Sequence, residues 1–416
     1  MLQILPTALS SLLLSLLSSG NGNTAPAPLR FQLRHEHGLA NDSHVVFADI
    51  PPSFTAESYE IPVMNTVASR PESAREFSNA RIRSMRHMQS EALKWKDVDV
   101  QGPDVKKRGT LLQLAKMTYN SYVTPKDSDW YDLGSNWNRS YPFGWEPDAD
   151  GFRGHVFVSE DNSTVIVSVK GTSAPWLAGG GGPTVKKDKL NDNLLFSCCC
   201  ARVGPTWSPV CDCYSSGYRC DQTCVERSLI EDSLFYPTGT NLYNNVTYMY
   251  PHANIWMIGH SLGGGLASLI GVTFGAPVVA FEAPGERLAA KRLHLPSPPS
   301  TQHITHVYHT GDPIPLGACT GVTSACAIGG YALETGCHLG KAIRYDTVSK
   351  RNWSVSVSSH GIKFVIDKVL NEDWDPENGL EVPIAEPEKD CVDCYSWEFG
   401  EFKNITRKSR LPLGRH

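Results

Sequence analysis

The stretch Ile255-Trp256-Met257-Ile258-Gly259-His260-Ser261-Leu262-Gly263-Gly264-Gly265-Leu266-Ala267 constrains this chain more than any other. Four apolar residues lead to a serine set two places from a glycine on either side, and small residues follow. Ile255 to Ile258 reads as a buried strand. Gly259 and Gly263 suit a turn so tight that a side chain on either would strike strand or helix. Gly264, Gly265, Ala267 and Ser268 suit a helix lying close on a sheet. The stretch therefore specifies strand, strained turn and helix, with Ser261 at the tip as a nucleophile. A bare Gly-x-Ser-x-Gly is a weak signal; here the flanks decide.

A serine hydroxyl needs a base to take its proton, and the base needs a carboxylate to fix its tautomer. In an α/β-hydrolase arrangement both follow the serine, acid first. Among the aspartates downstream, only Asp312 ends a clear apolar strand, Ile304 to His309, in a turn set by Gly311 and Pro313. Among the histidines, His360 stands in a loop just before the apolar run Ile362 to Leu370. His306 alternates with Val307 on a strand and reads as structural, and His260 points away from its neighbour Ser261. The oxyanion would be met by the backbone N–H of Leu262 and by a residue of an earlier strand-end loop. Lys170-Gly171-Thr172 fits that place, with Thr172 offering an N–H and a hydroxyl.

Strand signals at His155 to Val158 and Thr164 to Val169 read as a hairpin that leads into this loop. Pro71 to Trp95 and Thr110 to Met117 read as helices, and Pro277 to Phe281 as a buried strand. No internal repeat is present. The segment Ala174 to Phe196 joins apolar ends, with Trp176 and Leu177 at one and Phe196 at the other, through glycines and Lys186, Lys187 and Lys189. It reads as a lid that opens on a bilayer, its lysines meeting anionic head groups.

The run Ala8 to Leu17 is too short to span a bilayer and has the length of a signal-peptide core. Two features agree with entry into the secretory route. Glycosylation sequons stand at Asn41, Asn138, Asn162, Asn245, Asn352 and Asn404, and there are 12 cysteines, an even number. Most of them cluster between Cys198 and Cys224 and read as disulfides in an oxidising compartment; zinc at Cys211-x-Cys213 and Cys220-xxx-Cys224 is the weaker alternative. Cys391-xx-Cys394 reads as a structural disulfide. The net charge of -5, with no aromatic-plus-basic stripe, gives no case for nucleic acid. The expected organisation is a signal peptide or signal anchor over 1–20, a loosely ordered lumenal stalk over 21–70, and a catalytic domain over 71–370 carrying the insertion 198–224. A C-terminal extension, 371–416, completes the chain.

Strand–Lys-Gly-Thr, then GHSLGG, GDPIP and SSHGI, resembles the fungal class 3 lipases. The cysteine cluster and the N-terminus are similar to the autophagy-related branch of that family. The resemblance implies an α/β-hydrolase fold of class 3 lipase type with a disulfide-rich insertion, and Ser261, Asp312 and His360 as its triad. It implies phospholipid membranes as the partner, anionic lipids or phosphoinositides among them, and no metal or organic cofactor. It also implies a single-pass anchor at the endosomal membrane, with the catalytic domain in the lumen and delivery to the vacuole for lysis of autophagic bodies. Two other readings stay open at this point: a secreted esterase on soluble or plant-wall esters, and a cysteine-rich lumenal binding glycoprotein without activity.

Overall fold

The computed structural model describes residues 29–39, 45–49, 59–87, 92–123, 128–129, 131, 151–159, 162–173, 184–201 and 209–402. Its spine is a ten-stranded sheet. The chain enters through β1 (Leu29–Leu39), β2 (Val45–Asp49) and β3 (Tyr59–Ile61), and both β2 and β3 pair antiparallel with β1. A separate two-stranded sheet follows, β4 (Val63–Pro71) against β5 (Trp95–Pro103), with helix α1 (Ala74–His87) between them in sequence. The stalk expected over 21–70 is thereby corrected for its described residues. β1 forms a long ladder with β6 (Gly154–Ser159), so this segment is part of the catalytic sheet. The polar look of β1 misled. His35 and His37 are buried there because each has a partner: His35 bonds Asp49 and Tyr250, and His37 Nε2 lies 3.3 Å from the Ser168 carbonyl.

The expected hairpin forms as β6 against β7 (Thr164–Val169). After a short pair, β8 (Tyr214–Ser216) and β9 (Arg219–Asp221), the sheet resumes with β10 (Asn254–His260), β11 (Val278–Phe281), β12 (Ile304–His309) and β13 (Lys341–Tyr345). β7 and β10 to β13 run parallel to one another, and β14 (Glu386–Pro387) closes the far edge antiparallel. Parallel strands covered on both faces read as continuous apolar runs. Val165, Val167, Ile255 and Met257 join the core on one face, with Leu266 and Ile270. Ile166, Trp256 and Ile258 join the core on the other, with Leu111, Leu114 and Val365. Helix α2 (Arg108–Asn120) and the helical segment from Ile362 cover this second face. The first face is covered by α3 (Val185–Phe196), α4 (Gln222–Asp232), α5 (Phe235–Met249) and α6 (Leu262–Phe274). Each fully buried Leu or Ile in these layers contributes about 1.5–3 kcal/mol. This is the layered α/β-hydrolase plan.

The insertion is stapled to the end of the chain. β15 (Glu398–Gly400) pairs parallel with β9, giving a three-stranded sheet. The disulfides are Cys198–Cys394, Cys199–Cys220, Cys200–Cys211, Cys213–Cys224, Cys319–Cys326 and Cys337–Cys391. No cysteine is free. All four cysteines of the zinc alternative are therefore oxidised and unavailable as thiolate ligands. The expected bridge within Cys391-xx-Cys394 is corrected as well. Cys391 reaches Cys337 beside the main sheet, and Cys394 reaches Cys198 in the insertion.

Among the described residues no helix is long and apolar enough to cross a membrane. The run Ala8 to Leu17 lies outside them, as do Asn41, Asn138, Asn404, Trp176 and Leu177.

Candidate active site

Ser261 stands between β10 and α6 with φ 56° and ψ −129°, a conformation that costs a non-glycine residue of order 1–3 kcal/mol. Its flanks make the turn possible. A Cβ on Gly259 would lie 2.4 Å from the carbonyl carbon of Gly263, and one on Gly263 would lie 2.3 Å from the Val169 oxygen. The expected elbow is present, with α6 starting at Leu262 and its N-terminal end turned to the serine.

The three residues chosen from sequence meet. Ser261 Oγ lies 2.9 Å from His360 Nε2, and His360 Nδ1 donates to Asp312 Oδ2 over 2.6 Å. All three are buried. Burial pushes the Asp312 carboxyl up. The His360 charge and hydrogen bond outweigh that push and, helped by the Ile314 N–H at 3.0 Å, hold it below the usual carboxylate range. In this order a hydroxyl proton can pass to the imidazole, and the resulting cation lies against a carboxylate.

Two further histidines, at the tips of β10 and β12, hold the base. His260 Nε2 donates to the carbonyl of His360 over 2.8 Å, and His309 Nε2 to the carbonyl of Ser359 over 3.1 Å. Burial pushes His260 down to about 3, so its Nδ1 is free to accept from the Tyr122 hydroxyl at 2.6 Å. Neither role was visible in the sequence. His306, the other strand histidine, lies away from this cluster. It bonds Glu286 at 3.1 Å, where Ser268 and the Leu339 N–H also converge, and is structural as expected.

The loop after β7 lies against the elbow: a Cβ on Gly171 would come within 2.3 Å of the His260 oxygen. α3 fixes it. Asp188 Oδ2 takes the Ser173 N–H at 2.8 Å and the buried Lys170 ammonium at 3.2 Å. One turn on, Asp192 Oδ2 takes the Thr172 hydroxyl at 2.6 Å. That hydroxyl is thus committed to the helix, which leaves the backbone N–H as Thr172's means of meeting an oxyanion. The acidic pair Asp188 and Asp192, at i and i+4, is the sequence signal for this contact. Burial pushes Asp188 up and Lys170 down, and each opposes the other's neutralisation by its charge.

These contacts correct the lid expectation at Phe196. Its ring is fully buried and fills the space left by Gly265, where a Cβ would stand 2.7 Å from the ring tip. The half of the expected lid from Val185 onward is a fixed wall of the core.

No family model matches the chain. The solved structures that resemble it weakly include two lipases. They are the Lip2 lipase of Yarrowia lipolytica (17% identical, covering 56% of this chain and 78% of that one, TM-score 0.29) and the triacylglyceride lipase of Rhizomucor miehei (12%, 57% and 81%, TM-score 0.29). Such scores carry no weight on function. The sequence relatives do. A relative named as lipase ATG15 from Cryptococcus neoformans var. neoformans serotype D is 50% identical over 368 residues, covering 74% of this chain and 70% of that protein. One from Mycosarcoma maydis is 48% identical over 356 residues, covering 82% and 68%. One from Saccharomyces cerevisiae is 48% identical over 327 residues, covering 76% and 61%. The chain belongs to the ATG15 lipase family, and it is a carboxylic-ester hydrolase.

Proposed function

We propose that this enzyme cleaves acyl esters of membrane phospholipids, and of triacylglycerol, through Ser261, His360 and Asp312. The observation that carries the reading is the unbroken chain of hydrogen bonds Ser261–His360–Asp312 inside a buried site. His360 Nε2 takes the Ser261 proton as Oγ attacks the ester carbonyl. The oxyanion forms at the start of α6, where the Leu262 N–H and the helix dipole meet it, with the Thr172 N–H opposite. His360 then returns the proton to the leaving alcohol. Water repeats the sequence and frees the fatty acid.

The setting we infer is the endomembrane lumen, on the route from endosome to vacuole, with membrane vesicles and autophagic bodies as the substrate. Six disulfides support a path through an oxidising compartment. Asn162 and Asn352 are exposed and open to glycosylation, whereas Asn245 is half-buried on α5. The proposed preference for anionic lipids draws on Lys186 and Lys187, which face solvent on α3. Membrane attachment through the N-terminal run belongs to the same reading.

Product analysis on mixed phospholipid vesicles, beside a soluble short-chain ester, tests this. Release of fatty acid and lysophospholipid from vesicles is expected, faster with anionic lipid and less so in high salt. Cleavage of the soluble ester alone would replace the reading with a secreted esterase. A Ser261 inert to an organophosphate would replace it with a binding protein.

A further inference from the structure

Behind Asp312 lies a second buried carboxyl that the triad does not account for. Glu282 follows β11 directly and is fully buried. Its backbone sits at φ 43°, a region that favours glycine and penalises a side chain. A residue kept there against its backbone preference points to a use for its side chain.

The carboxyl of Glu282 lies within hydrogen-bonding reach of that of Asp312. Its oxygens also accept the His309 N–H, at 3.2 and 3.4 Å. The titratable groups facing it are few. Asp312 is one. His309, whose Nε2 lies 4.0 Å away, is held neutral by burial and gives that nitrogen to Ser359. His360 stands on the far side of Asp312. Tyr308, the remaining neighbour, turns its hydroxyl to Glu388 at 2.7 Å. No lysine or arginine is among these neighbours. Two carboxylates in contact in such a place cannot both be ionised, so one proton lies between them. Asp312 faces the imidazole and the Ile314 N–H and keeps the negative charge; Glu282 keeps the proton.

We propose that Glu282 is a positioning residue of the hydrolytic site, donating a hydrogen bond from its protonated carboxyl to Asp312 and extending the triad to Ser261–His360–Asp312–Glu282. The proton is a static part of the site. It fixes the rotamer of Asp312, offsets part of its charge, and so keeps the basicity of His360 from rising. Burial and the Asp312 charge, in that order, push the Glu282 carboxyl well above its ordinary range, which agrees with the assignment. The proposal rests on the hydrolytic reading of Ser261. That reading fails if wild-type protein cleaves no ester, whereas this one fails on how the variants depart from wild type.

The test is the pH profile of kcat/KM on a soluble ester for wild type, Glu282→Gln and Glu282→Leu, each checked for cooperative thermal unfolding. Glu282→Gln still donates and cannot ionise. It is expected to stay within about threefold of wild type at the optimum and to lack the alkaline inflection expected of wild type. Glu282→Leu removes the donor. It is expected to fall about tenfold or more, with its acidic limb moved up by about one pH unit as His360 becomes more basic. Equal losses in both variants with unshifted limbs would make Glu282 a packing residue and overturn the proposal. If Glu282→Gln does not fold, infrared titration of wild type decides. A protonated carboxylic-acid band persisting at neutral pH supports the assignment, and its absence overturns it.

Discussion

Two regions of this molecule are held in opposite ways. The catalytic loops gather at the tips of β7, β10, β11 and β12 and are held by buried hydrogen bonds: His260 and His309 on the base loop, Asp188 and Asp192 on the loop of Thr172. The insertion and the C-terminal extension share three short strands and a small core made largely of Cys199, Cys200, Cys213 and Cys220. They are held by covalent bridges. A region with so little apolar surface cannot offset its chain entropy by burial, and disulfides compensate by limiting the unfolded state. The site needs protons that can move and groups whose basicity is set by neighbours, which hydrogen bonds supply and disulfides do not.

The strongest break is in the triad. Ser261→Ala and His360→Ala should each lower ester hydrolysis by about 10⁴-fold or more, and the double variant should lose no more than either alone. Thermal unfolding should stay near wild type. Rates that multiply in the double variant would show that the two act separately.

On the covalent side, removing Cys198–Cys394, which closes 196 residues, should cost about 5 kcal/mol in urea unfolding. Removing Cys319–Cys326, which closes 7 residues, should cost about 2 kcal/mol. Equal costs would mean that local packing, and not loop closure, sets the stability of this region.

On the hydrogen-bonded side, Asp188→Ala leaves the Lys170 ammonium buried without its carboxylate. It should destabilise by about 3–5 kcal/mol and slow hydrolysis by loosening the Thr172 loop. Lys170→Met added to it should restore much of the stability but not the rate. Recovery of both would remove α3 from the site.

The mildest effect joins the two regions. His338 Nδ1 lies 3.0 Å from Glu388 Oε1, which ties the extension to the sheet. Burial pushes Glu388 up, but its His338 bond prevails and brings it down to about 2, from an ordinary 4.5. That contribution is full above 4.5 and fades as pH falls towards 2. Burial pushes His338 down, and Glu388 more than reverses this, lifting it above its ordinary 6.5. That contribution is full below 6.5 and fades as pH rises past the folded value. The thermal midpoint lost in Glu388→Gln should therefore be greatest between pH 4.5 and 6.5. A loss that is flat with pH would show the pair to be uncharged packing.

The same contrast explains what could be read from sequence. The meeting of Ser261, Asp312 and His360 was legible because each sits where an apolar strand or helix meets a marked turn. Tyr122, Asp188, Asp192, His260, His309 and Glu282 take their roles from partners that folding brings from other elements. Nothing beside them in sequence tells their use. β1 was hidden because buried histidines stand where apolar residues would signal a strand. Pairing of the cysteines was closed to sequence altogether: Cys391 and Cys394, three apart, bond to residues 54 and 196 positions away.

The longest of those bridges decides what a single proteolytic cut would do. Ser261, Asp312 and His360 all lie inside the loop closed by Cys198–Cys394. A single cut at the solvent-facing Ser297 to Pro299 would divide Ser261 from the other two along the chain, yet leave both fragments on one covalent body. Such a nicked enzyme would run as one band without reductant and as two with it, and the two new ends would stay tethered to the same covalent body.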